Sequence, residues 1–189
     1  MSGSLNRESI PFIVDDRKRK KISRSLEENM SIDSMPISLR PVITDDEPFL
    51  LEMYASTRPD VAEWGWDAAQ QEAFLRMQFD LQQRAWAMQS PEARHQIILL
   101  GDQQIGRIIL LRTDQQIRLS DIALLPQHRN NGIGASLIKD LCAEAAQSGL
   151  PVRLQVLKSN PALRLYERLG FFTIGESDTH IQMEWRADR

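Results

Sequence analysis

The chain has 189 residues, 42% apolar and 26% charged, the balance of an ordinary globular protein with room for one domain and a tail. Its 23 basic and 26 acidic side chains leave a net charge of −3, which gives no support to a general nucleic-acid or anionic-membrane binder. A lone cysteine, Cys142, excludes an internal disulfide and a cysteine-rich zinc site, and histidines at 95, 128 and 180 show no metal-ligand spacing. The default is a cytoplasmic, metal-free protein. Aliphatic runs such as Ile97-Ile98-Leu99-Leu100 stop at four residues, against the ~20 that a membrane-spanning helix needs.

Residues 1–36 hold seven basic and six acidic side chains, including the block Arg17-Lys18-Arg19-Lys20-Lys21, with no sustained period. They read as a charged, flexible tail; an interaction arm for an acidic partner is the other reading. The apolar patch at 10–14 is short, contains Pro11 and runs into Asp15-Asp16, unlike a signal peptide. A natural start at Met30 or Met35 also fits, because a strand pattern begins directly after Pro36.

From residue 37 to 189 strands and helices alternate. Residues 37–42 alternate apolar and polar, as a strand does. Thr44-Asp45-Asp46-Glu47 reads as a capping box that opens a helix to about Ser56, broken by Arg58-Pro59-Asp60. Asp67 opens a long second helix, with Phe74, Met77, Leu81, Ala85 and Met88 at helical spacing on its inner face. Three strand-like runs, 96–100, 104–112 and 116–125, are separated by Gly101-Asp102 and Thr113-Asp114 and predict an antiparallel meander. A third helix spans 132–148 with Gly149 just past its end. Residues 152–157 form a strand. Asn160 caps a fourth helix with Pro161 in its first position, and Gly170 ends it. Strands at 172–175 and 180–185 close the chain. The order β-α-α-β-β-β-α-β-α-β-β predicts an α/β (α+β) fold.

The stretch from Leu124 to Leu137 carries the most chemistry. A strand runs into the polar loop Gln127-His128-Arg129-Asn130-Asn131, and Gly132 and Gly134 then open an amphipathic helix. A first helical turn leaves its amides unpaired at the positive end of the macrodipole. Glycines there let a backbone-sized group approach. With the charge of Arg129 these features suit a pyrophosphate, although a plain strand-to-helix connection is the competing reading. A Walker A loop would need Gly-Lys-Ser/Thr, which is absent. A Rossmann loop would need a third glycine where Leu137 stands and an acidic residue on the next strand, which shows Arg153 and Gln155 instead.

Arg129-Asn130-Asn131-Gly132-Ile133-Gly134 resembles the Arg-x-x-Gly-x-Gly/Ala loop of the GNAT N-acetyltransferase superfamily. The stretch from Asn160 through Tyr166 to Gly170-Phe171 resembles that superfamily's Asn-x-x-x-x-x-Tyr-x-x-x-Gly-Phe signature. The resemblance covers residue 37 to the C-terminus. It implies a mixed, mostly antiparallel sheet of about seven strands flanked by four helices, with two parallel strands that splay apart. It implies acetyl-CoA as co-substrate, with its pantetheine arm between the strands at 116–125 and 152–157. Backbone groups of Ile122, Ala123 and Leu124 would then pair with the arm. The amides of Asn130, Asn131, Gly132, Ile133, Gly134 and Ala135, with Arg129, would hold the pyrophosphate. Asn160 would reach the arm, a strand amide near Leu124 would polarise the thioester oxygen, and Tyr166 would protonate the leaving thiolate. Two positions depart from the pattern. Asn130 stands where the family usually has glycine, and asparagine tolerates a left-handed backbone. Gln155 stands where some acetylators of protein N-termini carry a glutamate, and glutamine cannot act as a base.

The reaction implied is direct acetyl transfer to a primary amine of a small molecule or peptide, with no nucleic acid, membrane or metal involved. The amine must lose a proton. Asp121 is the first candidate base, expected by strand alternation to share a face with Leu119 and Ala123; pairing with backbone amides or an arginine is the alternative. Glu167 and His180 are further candidates. Arg58, Trp64 and Trp66, between the first two helices, are candidate acceptor-binding residues, and the tryptophans equally suit an anchoring role. Cys142 sits mid-helix in apolar surroundings, which points away from an acetyl-cysteine step. A homodimer has room here, since such folds expose sheet edges. The competing classes are a non-catalytic acyl-CoA-binding module on the same fold and an adaptor acting through the basic tail.

Overall fold

The computed structural model describes residues 35–188. The tail expected at 1–36 therefore lies, but for its last two residues, outside the described residues. Seven strands are found: β1 (Ile37–Pro41), β2 (Arg94–Leu100), β3 (Gln103–Arg112), β4 (Ile117–Leu124), β5 (Val152–Leu157), β6 (Phe172–Glu176) and β7 (His180–Trp185). They form one sheet in the order β1-β2-β3-β4-β5-β7-β6. Every pairing is antiparallel except β4 with β5. Among the described residues four α-helices, α1 (Glu47–Ala55), α2 (Ala68–Gln89), α3 (Ile133–Ser148) and α4 (Leu163–Arg168), accompany the sheet in a mixed fold.

Residues 105–110 of β3 are buried without interruption, so helices cover this central strand on both faces. On one face Leu50 and Tyr54 of α1 and Phe79 of α2 pack around Ile97 of β2. Helix α3 packs against β4 and β5, and its buried side is Ile133, Leu137, Ile138, Leu141, Cys142 and Ala145. Gly149, at φ 65°, ends it in a left-handed cap.

Three local expectations are corrected. The inner face of α2 is not the one through Phe74, Met77, Leu81, Ala85 and Met88, for Met77, Leu81 and Met88 are exposed. The inward stripe is Leu75, Phe79, Gln82 and Trp86. Apolar periodicity misses it because Gln82 faces inward to meet an arginine. At the start of α1 the amide is capped from Asp46 rather than by Thr44 with Glu47. The Asp46 carboxylate accepts from the Ile43 N–H at 2.8 Å, from both Arg40 Nη atoms at 2.7 Å and from Gln104 Nε2 at 2.6 Å. Helix α4 begins at Leu163, because Asn160 Oδ1 accepts from the Ala162 N–H at 2.9 Å and holds Pro161 in a turn ahead of the helix.

Candidate active site

Strands β4 and β5 are paired only at Ile117–Val152, Arg118–Arg153 and Leu119–Leu154. Beyond that point β4 runs on to Leu124 and β5 to Leu157 without pairing to each other. Backbone alternation decides which groups face the opening. The Leu125 N–H donates to the Ile105 carbonyl of β3 at 2.9 Å. Residues 123 and 125 therefore point their backbone groups at β3, and Ile122 and Leu124 point theirs into the gap. Ala123, expected beside them, serves β3 instead. Its carbonyl passes so close to Gly106 that a Cβ there would stand 2.4 Å from it.

The glycine loop lies at the mouth of this gap. After a short 3-10 turn, Pro126–His128, Asn130 and Gly132 take left-handed backbones at φ 64° and 77°. Helix α3 closes its first turn with the Ser136 N–H on the Gly132 carbonyl at 2.9 Å, and the preceding amides point out of the helix end. A Cβ placed on Gly132 or Gly134 would meet nothing within 4 Å. The space over this end is open, as a cradle for an anion requires. Arg129 is used differently from expectation. Its Nε donates to the Leu124 carbonyl at 2.8 Å and its Nη2 reaches Ser56 Oγ at 3.4 Å. It ties the end of β4 to the end of α1, and one of the gap's carbonyls is thereby already occupied.

Tyr166 of α4 is buried, its ring 5.7 Å from that of Phe171. No described residue hydrogen-bonds its hydroxyl. Burial first, and then the negative charge of Asp121, push its pKa up to about 12, so the phenol is a held proton at neutral pH. The charge of Asp121 is thus felt at the Tyr166 phenol.

Asp121 shares a face with Ala123 but not with Leu119. The β3–β4 register shifts, so Leu110 opposes Leu119 while its neighbour Ile109 opposes Asp121. Ser120 is the extra residue of a bulge, which turns Asp121 to the face of Arg107. Asp121 Oδ2 accepts from Arg107 Nε at 2.8 Å. The arginine alternative therefore holds, through a residue that the sequence reading missed. Arg107 lies with its guanidinium carbon 4.4 Å from the Trp86 ring centroid, and its Nη2 reaches Gln82 Oε1 at 3.4 Å. A lone charge in the run Ile105-Gly106-Arg107-Ile108-Ile109-Leu110-Leu111 was the available signal. His95 stands 5.9 Å from Trp86, its pKa lowered by burial first and then by Arg107.

Arg58, Trp64 and Trp66 come together, and the tryptophans take the anchoring role that the sequence also allowed. Trp64 and Trp66 stack edge-on at 5.1 Å and both pack on Phe74 of α2, at 5.2 and 5.4 Å. They anchor the loop while keeping 43% and 39% of their surface exposed. Arg58 is already paired with Asp60 at 2.9 Å and lies over Trp64 and Phe74. Glu167 is exposed, and His180 is bonded through Nδ1 to Thr179 Oγ1. Asn160 spends its Oδ1 on the turn before α4. Burial pushes the Cys142 thiol up to about 11, which leaves it a poor nucleophile. Among the described residues no group of three or more His, Cys, Asp or Glu is placed to hold a metal ion, and no helix is long and apolar enough to cross a membrane.

Comparison with known proteins adds the lineage. The sequence is 33% identical over 78 residues to thialysine N-epsilon-acetyltransferase of Mus musculus. That stretch is 40% of this chain and 46% of the mouse protein. The fold is similar to PaiA N-acetyltransferase of Thermoplasma acidophilum, solved with coenzyme A, at TM-score 0.58 and 18% identity over 80% of this chain and 99% of that one. It is also similar to spermidine N-acetyltransferase of Vibrio cholerae, solved with CoA and spermine, at TM-score 0.55 and 18% identity over 80% and 96% of the two chains. The sequence profile of the Acetyltransferase (GNAT) family matches residues 58–171, from the loop after α1 to the strand after α4. The parted strands and the glycine-opened helix both fall inside that span, and the chain belongs to the GNAT family of acetyltransferases.

Proposed function

We propose that the protein is an acetyl-CoA-dependent N-acetyltransferase that moves an acetyl group directly to a primary amine of a small molecule or peptide. The observation that carries this reading is the parting of β4 and β5 after Leu119 and Leu154, with the open end of α3 at its mouth. Acetyl-CoA supplies an activated acyl group on a thioester. The Ile122 backbone groups hold an extended, amide-bearing chain as a missing strand would. Amides of residues 130–135 receive the pyrophosphate, in a loop shaped by its left-handed residues Asn130 and Gly132, while Arg129 is engaged at the Leu124 carbonyl. The Leu124 N–H, facing the gap, is the donor for the thioester oxygen. Tyr166 brings a neutral hydroxyl to the departing sulfur, and Asp121 brings the carboxylate beside the amine. The aromatic wall of Trp64 and Trp66 forms part of the acceptor side.

The test is thermal unfolding with acetyl-CoA or CoA, against NADH and ATP. At ~100 times its dissociation constant a ligand stabilises the fold by about 2.7 kcal/mol. That corresponds to roughly 5–10 °C for a domain of this size. A shift with the CoA ligands alone, followed by acetylation of a primary amine, is the expected result. A shift without turnover on any amine would favour the non-catalytic acyl-CoA-binding module.

A further inference from the structure

Among the described residues Arg107 is the one buried lysine or arginine, its side chain 8% exposed. Burying a guanidinium is costly unless its donors are satisfied. Here they are not all satisfied, because Nη1 is buried without a hydrogen-bond partner. The contact to Gln82 is long at 3.4 Å, and the one short bond is from Nε to Asp121 Oδ2 at 2.8 Å. The plane of the group is set by Trp86. Two side chains of α2 thus fix a cation whose chief partner is a carboxylate. That carboxylate keeps 27% of its surface exposed, next to Ile122, the first residue whose backbone faces the gap. Asp121 Oδ1 has no donor among the described residues. The same carboxylate is near enough to Tyr166 to act on its phenol.

We propose that Arg107 is a positioning residue for the acceptor: it locks the Asp121 carboxylate in one orientation, so that the free Oδ1 receives an N–H of the amine beside the Tyr166 hydroxyl. This rests on the reading of the chain as an N-acetyltransferase. Arginine suits the task better than lysine because its flat group stacks on Trp86 while Nε–H points along the strand pair to Asp121.

The experiment uses the full chain, acetyl-CoA, and a panel of primary amines comprising spermidine, thialysine and lysine, the fastest serving as probe. Arg107→Lys keeps the charge but loses the fork. It is expected to raise KM for the amine about tenfold, the scale of one charged hydrogen bond. The melting shift given by acetyl-CoA should stay at its wild-type size. Asp121→Asn should act in the same direction, and the double variant should be no worse than Asp121→Asn alone, because Arg107 acts through Asp121. Trp86→Leu, which removes the stack and keeps the ion pair, should raise the same KM and covers the case in which Arg107→Lys does not fold. Effects of Arg107→Lys and Asp121→Asn that add would overturn the proposal, as would an unchanged KM for the amine in the folded variants. So would a chain that shifts with acetyl-CoA yet acetylates no amine of the panel. Absence of the acetyl-CoA shift in the wild-type chain would instead sink the acetyltransferase reading itself.

Discussion

Tyr166 divides its work between ring and hydroxyl. The ring packs on Phe171 and belongs to the core, whereas the hydroxyl finds no partner among the described residues. Removing the oxygen alone therefore leaves packing nearly intact. Tyr166→Phe should lower kcat by about tenfold or more, the usual scale for a lost general acid, with affinity for CoA unchanged. Steady-state rates beside a CoA titration check this, and unaltered turnover would remove Tyr166 from the mechanism. At this scale the sequence was legible wherever a residue type has few uses. Asparagine at 130 reads as a residue that tolerates a left-handed backbone, which it takes at φ 64°, and Gly132 and Gly134 read as room for an approaching group, which they leave open. It was not legible where a side chain chooses among several partners. Nothing in the sequence says that Arg129 turns to the Leu124 carbonyl, and an arginine partner for Asp121 is one alternative there, without the residue that supplies it.

Helix α2 shows how an element can be right in extent and wrong in phase. Its start at the Asp67 cap is real, with Asp67 Oδ1 accepting from the Gln70 N–H at 2.9 Å. Two apolar stripes run along it, and the more regular one faces outward. The inner one is interrupted by Gln82, which serves Arg107. A buried polar contact thus disguises the core face from any count of apolar residues. The two phases make opposite predictions for stability. Phe79→Ala, inside the cluster with Leu50, Tyr54 and Ile97, should cost about 3–5 kcal/mol. Met88→Gln, at a position 81% exposed, should stay within about 0.5 kcal/mol. Urea unfolding of the two variants distinguishes the phases, and the reverse ranking would restore the outer stripe as the core face. The strands, by contrast, were read with small errors at their ends, because alternation and turn residues together fix a meander. The parallel pairing of β4 with β5, and its early end, came from the family resemblance and not from periodicity.

For the molecule as a whole, Asp46 is the tie that gathers β1, the turn before α1 and β3. Its buried carboxylate joins Arg40, Ile43 and Gln104. The Arg40 hydrogen bonds foremost hold its carboxyl down at about 2, from an ordinary 3.8. A carboxylate depressed in the folded state stabilises above its unfolded value and loses that contribution as pH falls through the folded one. The contribution is about 2 kcal/mol, present at neutral pH and lost between pH 3.8 and 2. Asp46→Asn should therefore be less stable at pH 7, and its unfolding free energy should vary less over that acid range. Parallel pH dependences in the two proteins would count against the assignment. The bulge at Ser120 has a consequence for how this fold tolerates change over evolution. Ahead of it β4 follows one parity, set by Ile117 and Leu119 opposite Arg112 and Leu110, and behind it the other, set by Asp121 and Ala123. Regular pairing straight through Ser120, with no extra residue, would set Ser120 opposite Ile109 and Asp121 opposite Ile108 and so exchange the two faces of the outer half of the strand. The carboxylate would then lie on the face of Leu110 and Leu119, and Arg107 would lose its partner. Insertions in the turn at 113–116 leave this register untouched, so length variation among descendants of this sequence should accumulate there.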